Sequence, residues 1–163
     1  MERAVSEPDN HIQHVAYYAN RHCSRQWSLF LELVFDELLS SAGQEGASGF
    51  LRHIGGRIAA ELPIGECDTL EHLEKVINDI LSQLDWGYVT IAADNQKMRI
   101  CHIACPVPGS SPERIEASLL AMSMVLEELY KTWLQQQGGE VDVPIACISR
   151  RVEQRECTFL YGR

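Results

Sequence analysis

The 163-residue sequence is short of basic residues, with 14 Lys and Arg against 23 Asp and Glu and a net charge of −9. That balance argues against a nucleic-acid backbone or an anionic membrane surface as main partner, since both reward Lys and Arg. Long hydrophobic runs are missing too. No apolar stretch approaches the roughly 18 residues of a membrane span. The opening MERAVSEPDNHIQHVAYYANRH has neither the basic start nor the apolar middle of a secretory signal. Neither direct membrane insertion nor export by a signal of its own is expected. Phosphate loop, serine elbow and dinucleotide fingerprint are all absent, as are the paired CxxC motifs of a zinc knuckle. The expectation is a protein without catalytic residues, metal or cofactor.

The six cysteines (Cys23, Cys67, Cys101, Cys105, Cys147, Cys157) have no scaffold-like spacing. Four of them, Cys101, Cys105, Cys147 and Cys157, fall in or beside apolar segments, where a reduced thiol acts as a small hydrophobe. A reducing compartment follows. Cys101, His102 and Cys105 come nearest to a metal cluster. On a strand, however, the two thiols share one face and His102 takes the other, so packed thiols are the better reading. His11 and His14 form only a bare HxxH in a polar stretch. No flanking motif supports a Cys–His nucleophile, and apolar surroundings raise thiol pKa values. Glu71 with Glu74, and Glu127 with Glu128, read as solvated helix faces.

Residues 1–25 show no sustained periodicity and are predicted as a flexible or conditionally helical arm; 26–163 are predicted as a single α+β domain. In QWSLFLELVFDELL, apolar side chains cover most of a helix's circumference, leaving Glu32, Asp36 and Glu37 plainly polar. Such a helix needs more than one covering surface, and in a chain this size a second subunit supplies it. SAGQEGASG is read as a break. FLRHIGGRIAAELP follows as a second helix, where Gly55 and Gly56 each cost roughly 1 kcal/mol relative to alanine and so point to close helix–helix approach. Asp68-Thr69-Leu70-Glu71 is read as a capping box, with Asp68 as cap, opening a third helix that runs to about Leu84. Residues 88–92 and 98–104 alternate as a hairpin around Asp94-Asn95-Gln96. Ser110-Ser111-Pro112-Glu113 starts a long helix that repeats Ile115, Leu119, Met122, Leu126, Leu129 and Trp133. Strands over 141–149 and 157–161 close the chain, with Pro144 placing the first at an edge or a bulge. The order ααα-ββ-α-ββ, three helices, a hairpin, a long helix and a second hairpin, predicts an oligomer-forming α+β fold with an antiparallel sheet.

LDWGYVTI, then MRICH, then LEELYKTWL on the next helix carry a family pattern that starts near Ser28-Leu29-Phe30-Leu31 and passes through FLRHIGGRIAAELP. The ordered set resembles the cellulose synthase operon protein D family. The resemblance implies a noncatalytic accessory subunit of bacterial cellulose biosynthesis. It implies a cylindrical homo-octamer that organises synthase complexes or glucan chains for export and crystallisation. Other cellulose synthase complex proteins would be partners and β-1,4-glucan a candidate ligand. The implied place is beside the inner-membrane synthase complex. The missing signal and the thiols favour its cytoplasmic side, with the periplasm as alternative. The segment before Trp27 has no clear counterpart in the family pattern, so glucan-lining positions do not transfer.

Beside the resemblance, Tyr17, Tyr18 and Trp27 are the aromatics outside the regular core, placed either to stack on sugar rings or to dock the arm on a neighbouring subunit. Leu29, Phe30, Leu33 and Phe35 are the assembly candidates of the first helix. Gly87 is expected to take the sharp helix-to-strand transition while Trp86 and Tyr88 pack the sheet against the helices. Trp133 closes the signature. A rival reading is a small-molecule or acyl-chain binding domain with a helix-lined pocket.

Overall fold

The computed structural model describes residues 24–94 and 96–162. Tyr17, Tyr18, Cys23, His11 and His14 lie outside the described residues. Four helices, α1 (Arg25–Ser41), α2 (Gly43–Glu61), α3 (Leu70–Gln83) and α4 (Pro112–Gln136), combine with four strands, β1 (Tyr88–Ala93), β2 (Lys97–Ile103), β3 (Ile145–Arg151) and β4 (Glu156–Gly162), in the order ααα-ββ-α-ββ. The strands form one antiparallel sheet, β1-β2-β4-β3. The central pair places Ile100 opposite Phe159 and His102 opposite Cys157, all four buried.

Local chemistry explains where the helices begin. Ser111 is the cap of α4, its hydroxyl accepting from the Arg114 N–H, and Pro112 opens the first turn. For α3 the cap is Thr69, accepting from the His72 N–H at 3.1 Å, rather than Asp68. The expected break over SAGQEGASG shrinks to the single residue Ala42. Gly43, at φ +68°, turns the chain, and α2 starts there.

The long helix α4 is the axis of the core. The sequence shows one apolar stripe, but from Leu119 to Leu134 nearly every side of α4 is covered, by α2 on one flank and the sheet on the other. Tyr130 packs edge-on to Phe159 of β4 at 5.3 Å and against Trp133 at 6.0 Å. The Trp133 indole N–H donates to the Leu62 carbonyl at 2.8 Å, tying α4 to the end of α2.

Both sheet edges are met by helix side chains. On β1, the Asn78 amide of α3 accepts from the Val89 N–H (2.7 Å) and donates to the Val89 carbonyl (2.9 Å), while Glu74 accepts from the Ile91 N–H. On β3, Glu127 of α4 accepts from the Cys147 N–H at 2.7 Å, next to a register irregularity between Cys147 and Ser149. Glu74 and Glu127 are therefore not solvated-face carboxylates: they satisfy edge N–H groups that would otherwise be templates for strand pairing.

Gly55 is where α2 crosses α4. A Cβ there would lie 2.1 Å from the Val125 carbonyl oxygen, whereas one at Gly56 would meet only the Glu128 Cγ at 3.6 Å. Gly55→Ala should therefore force the helices apart and cost about 1–3 kcal/mol. Gly56→Ala should gain up to about 1 kcal/mol of helix propensity. Urea unfolding of the two variants checks this, and equal effects would refute the close approach.

Candidate functional site

Helix α1 is apolar on both sides: Phe35, Leu38 and Leu39 pack on the core, and other apolar side chains face out. Its one buried residue is Glu32, 4% exposed, while Trp27, Leu29, Phe30, Leu33 and Val34 are 59%, 61%, 56%, 47% and 38% exposed. Glu32, read from sequence as part of the polar face, accepts hydrogen bonds from Ser110 and from Arg114 at the start of α4. Arg114's hydrogen bond holds this carboxyl below its ordinary value despite the opposing cost of burial. The ion pair lies on the same side of α1 as Phe35, Leu38 and Leu39, which pack on the core, and another apolar side is left facing out. Trp27 and Phe30 meet edge-to-face there, with centroids 5.8 Å apart. Phe35 is half-buried against the core.

Beside this surface, α1, α2 and the Pro106–Pro108 loop enclose a cavity of about 280 Å3. Val34, Phe35, Leu38, Phe50, Ile54 and Trp86 contribute to its walls, and among the described residues no charged or amide side chain lines it. Trp86 is half-buried and lines this groove. Tyr88, expected to pack the sheet against the helices, is instead 41% exposed at the head of edge strand β1; Val89, 0% exposed, is the neighbour that turns inward. Between Trp86 and Tyr88, Gly87 stands at φ +78°, where a Cβ would lie 2.2 Å from the Ile103 carbonyl oxygen. Only glycine fits there.

The third feature is a sealed polar cluster. His102 is fully buried, with Nε2 2.6 Å from the Trp86 carbonyl and Nδ1 2.5 Å from the Tyr130 hydroxyl. A carbonyl only accepts, so Nε2 carries the proton and Nδ1 accepts from Tyr130. Burial pushes the His102 pKa down to about 4, partly countered by the Trp86 carbonyl, and holds the Tyr130 phenol well above its ordinary value. The histidine is neutral and structural. Strand alternation placed Cys101 and Cys105 on one face. The strand ends at Ile103, however, and Ala104 takes φ +58°, so Cys105 drops into the core while Cys101 stays half-buried.

Cys67, Cys101, Cys105, Cys147 and Cys157 are free thiols. Hydrogen bonding with Cys157 raises Cys147, hydrogen bonding with Cys105 raises Cys157, and burial adds to both. Such thiols are poor nucleophiles. Among the described residues no group of three or more His, Cys, Asp or Glu is arranged to hold a metal ion. A larger cleft of about 580 Å3, between α2, α4 and β3, has Glu45, Arg52, Glu127 and Arg150 in its lining; Arg52 pairs with Glu127, which also serves Cys147. Among the described residues no helix is long and apolar enough to cross a membrane.

Of the residues singled out from sequence, the structure thus gathers Trp27, Leu29, Phe30 and Leu33 on one outward surface, puts Phe35 and Trp86 at the groove, and buries Trp133 completely. Sequence reading missed Glu32 and His102. A carboxylate hemmed in by apolar neighbours was the one available signal for the first; strand alternation showed that His102 faces away from Cys101 but not which face is buried.

Comparison with known proteins adds the last observation. The chain is 36% identical over 115 residues to cellulose synthase operon protein D of Komagataeibacter xylinus, covering 69% of this chain and 72% of that protein. It is 35% identical over the same length and shares to the protein of that name from Komagataeibacter sucrofermentans. The family model for the D-type subunit of cellulose synthase matches residues 13–162. With that match spanning every element from α1 to β4, the chain belongs to the cellulose synthase operon protein D family.

Proposed function

We propose that the protein is a noncatalytic accessory subunit of bacterial cellulose biosynthesis, forming a homo-octameric scaffold that organises synthase complexes or their glucan chains. The observation that carries this reading is the outward apolar side of α1, with Leu29, Phe30 and Leu33 each about half exposed or more. An apolar helix face of this kind marks an interaction surface, and symmetric self-association is the commonest way to cover one. Asn78, Glu74 and Glu127 occupy the Val89, Ile91 and Cys147 N–H groups at the sheet edges, which works against edge pairing at those positions and in favour of assembly through α1. Trp27, exposed at the start of α1, is the described aromatic best placed to stack on a glucan ring. The free thiols support the cytoplasmic side of the synthase complex.

Native mass spectrometry of the purified chain tests the scaffold: eight subunits are expected. Phe30→Glu with Leu33→Glu should lower the assembly state while leaving circular dichroism unchanged, because exposed substitutions usually cost within about 0.5 kcal/mol. An unaltered octamer would remove α1 from the interface, and a monomeric wild type would remove the scaffold. The apolar cavity favours one second reading, a binder of small apolar molecules. Its volume of about 280 Å3 falls just below the usual range of ligand pockets, roughly 300–1,000 Å3. A lipid-mass adduct on each protomer would favour that reading.

A further inference from the structure

We propose that a second copy of this chain completes the groove between α1 and α2 by seating its Trp27 indole there, each of two antiparallel α1 helices filling the groove of the other. This rests on the scaffold reading and names one of its contacts. The described walls of the groove are apolar, and Val34 and Phe50 at its rim are 38% and 54% exposed. Its capacity suits one ring system. An apolar cavity of about 150 Å3 holds one benzene, and indole, about half again as large, needs roughly 225 Å3 on the same basis. The groove offers about 280 Å3.

Knob and groove share one helix. Trp27, Leu31, Val34 and Leu38 follow at i, i+4, i+7 and i+11 spacing, so they form one row along α1, and the last three line the groove. Trp27, 59% exposed, stands one turn before it. Helical side chains lean toward the N-terminus, so Trp27 leans away from the groove of its own chain. A two-fold axis beside α1 at the level of Leu31 reverses the row. It lays Trp27 of each copy over residues 34–38 of the other, so one self-complementary contact is made twice. Phe30 and Leu33, which do not line the groove, fall between the two seats and are covered by the same pairing. Charge selects the antiparallel direction. Arg25 is exposed on the first turn of α1, and Asp36 and Glu37 are exposed near its end. Among the described residues none of these three forms an ion pair. Antiparallel pairing sets Arg25 of each copy level with the two acids of the other, whereas parallel pairing stacks like charge on like. Trp27 seated in this way is withdrawn from stacking on glucan.

The test uses the full chain with the photoreactive residue benzoylphenylalanine in place of Trp27, assembled from an equal mixture of isotope-labelled and unlabelled protomers. After irradiation, cross-links mapped by mass spectrometry should fall on Val34, Leu38, Phe50 or Ile54 and join labelled to unlabelled chains. Cross-links confined to single chains would overturn the proposal. So would cross-links that miss the groove, or a lipid-mass adduct retained by the native wild-type chain. Trp27→Ala provides a second reading. It should raise the concentration at which the assembly dissociates about tenfold or more, as for a buried aromatic anchor, while circular dichroism matches the parent. An unchanged dissociation concentration would count against the seat. An octamer whose cross-links miss the groove sinks this inference alone, whereas a monomeric wild type sinks the scaffold.

Discussion

Replacing Trp133 by alanine is expected to remove about 3–5 kcal/mol of stability through lost burial and the cavity left behind. A further cost of about 1–3 kcal/mol arises because the Leu62 carbonyl loses its buried donor. Trp133 is fully buried at the crossing of α4 with the end of α2, and its indole N–H is the hydrogen bond joining them. Since whole domains are stable by only about 5–15 kcal/mol, Trp133→Ala should be largely unfolded in mild denaturant. Trp133→Phe keeps most of the ring volume but not the N–H. Its smaller loss, about 1–3 kcal/mol, would report the Leu62 bond. Urea titrations of both variants decide it; a Trp133→Ala loss below about 1 kcal/mol would show that this crossing does not hold the fold.

Acid should destabilise the protein through His102, in a window set by that residue. Its pKa is about 4 in the folded chain against an ordinary value of 6.5. Because the folded state holds the neutral imidazole, this contribution is fully present above pH 6.5 and is lost as pH falls toward 4. At 1.36 kcal/mol per unit the loss is roughly 3 kcal/mol over the window. Glu32 titrates lower: its depressed carboxyl contributes stability above 4.5 that is lost only as pH falls below that. Unfolding measured from pH 7 to pH 5 therefore isolates the histidine. The wild type should hold its stability down to about pH 6.5 and lose it steadily from there to pH 5, and His102→Gln, destabilised at every pH, should show a much flatter profile. Parallel profiles would mean that His102 does not sense acid from the core.

The element order was legible because each boundary is written in local chemistry. Ser111 and Pro112 start α4 whatever surrounds them, and alternation over 88–92 and 98–104 makes a hairpin before any tertiary contact exists. The same locality explains the small errors, such as Thr69 in place of Asp68 as a cap, since two adjacent side chains compete for one N–H and the sequence does not rank them. The α+β class, the missing catalytic fingerprints and the family pattern were likewise available from residue order alone.

The tertiary structure decided which faces look inward. Periodicity identifies a buried side only when the opposite side is polar, and α1 is apolar nearly all round. Its observed orientation packs Phe35, Leu38 and Leu39 against the core and pairs Glu32 with Arg114, leaving Leu29, Phe30 and Leu33 outward. Gly55 and Gly56 are equivalent in sequence. Only the path of the Val125 carbonyl makes one indispensable and the other replaceable. His102 and Glu127 look like an ordinary strand residue and an ordinary surface acid until Tyr130, the Trp86 carbonyl and the β3 edge are brought to them from distant parts of the chain. Local propensities act over one or two turns, so they specify elements. Burial of a particular group depends on partners tens of residues away, so the groove and the outward face of α1 exist only once the chain has closed on itself.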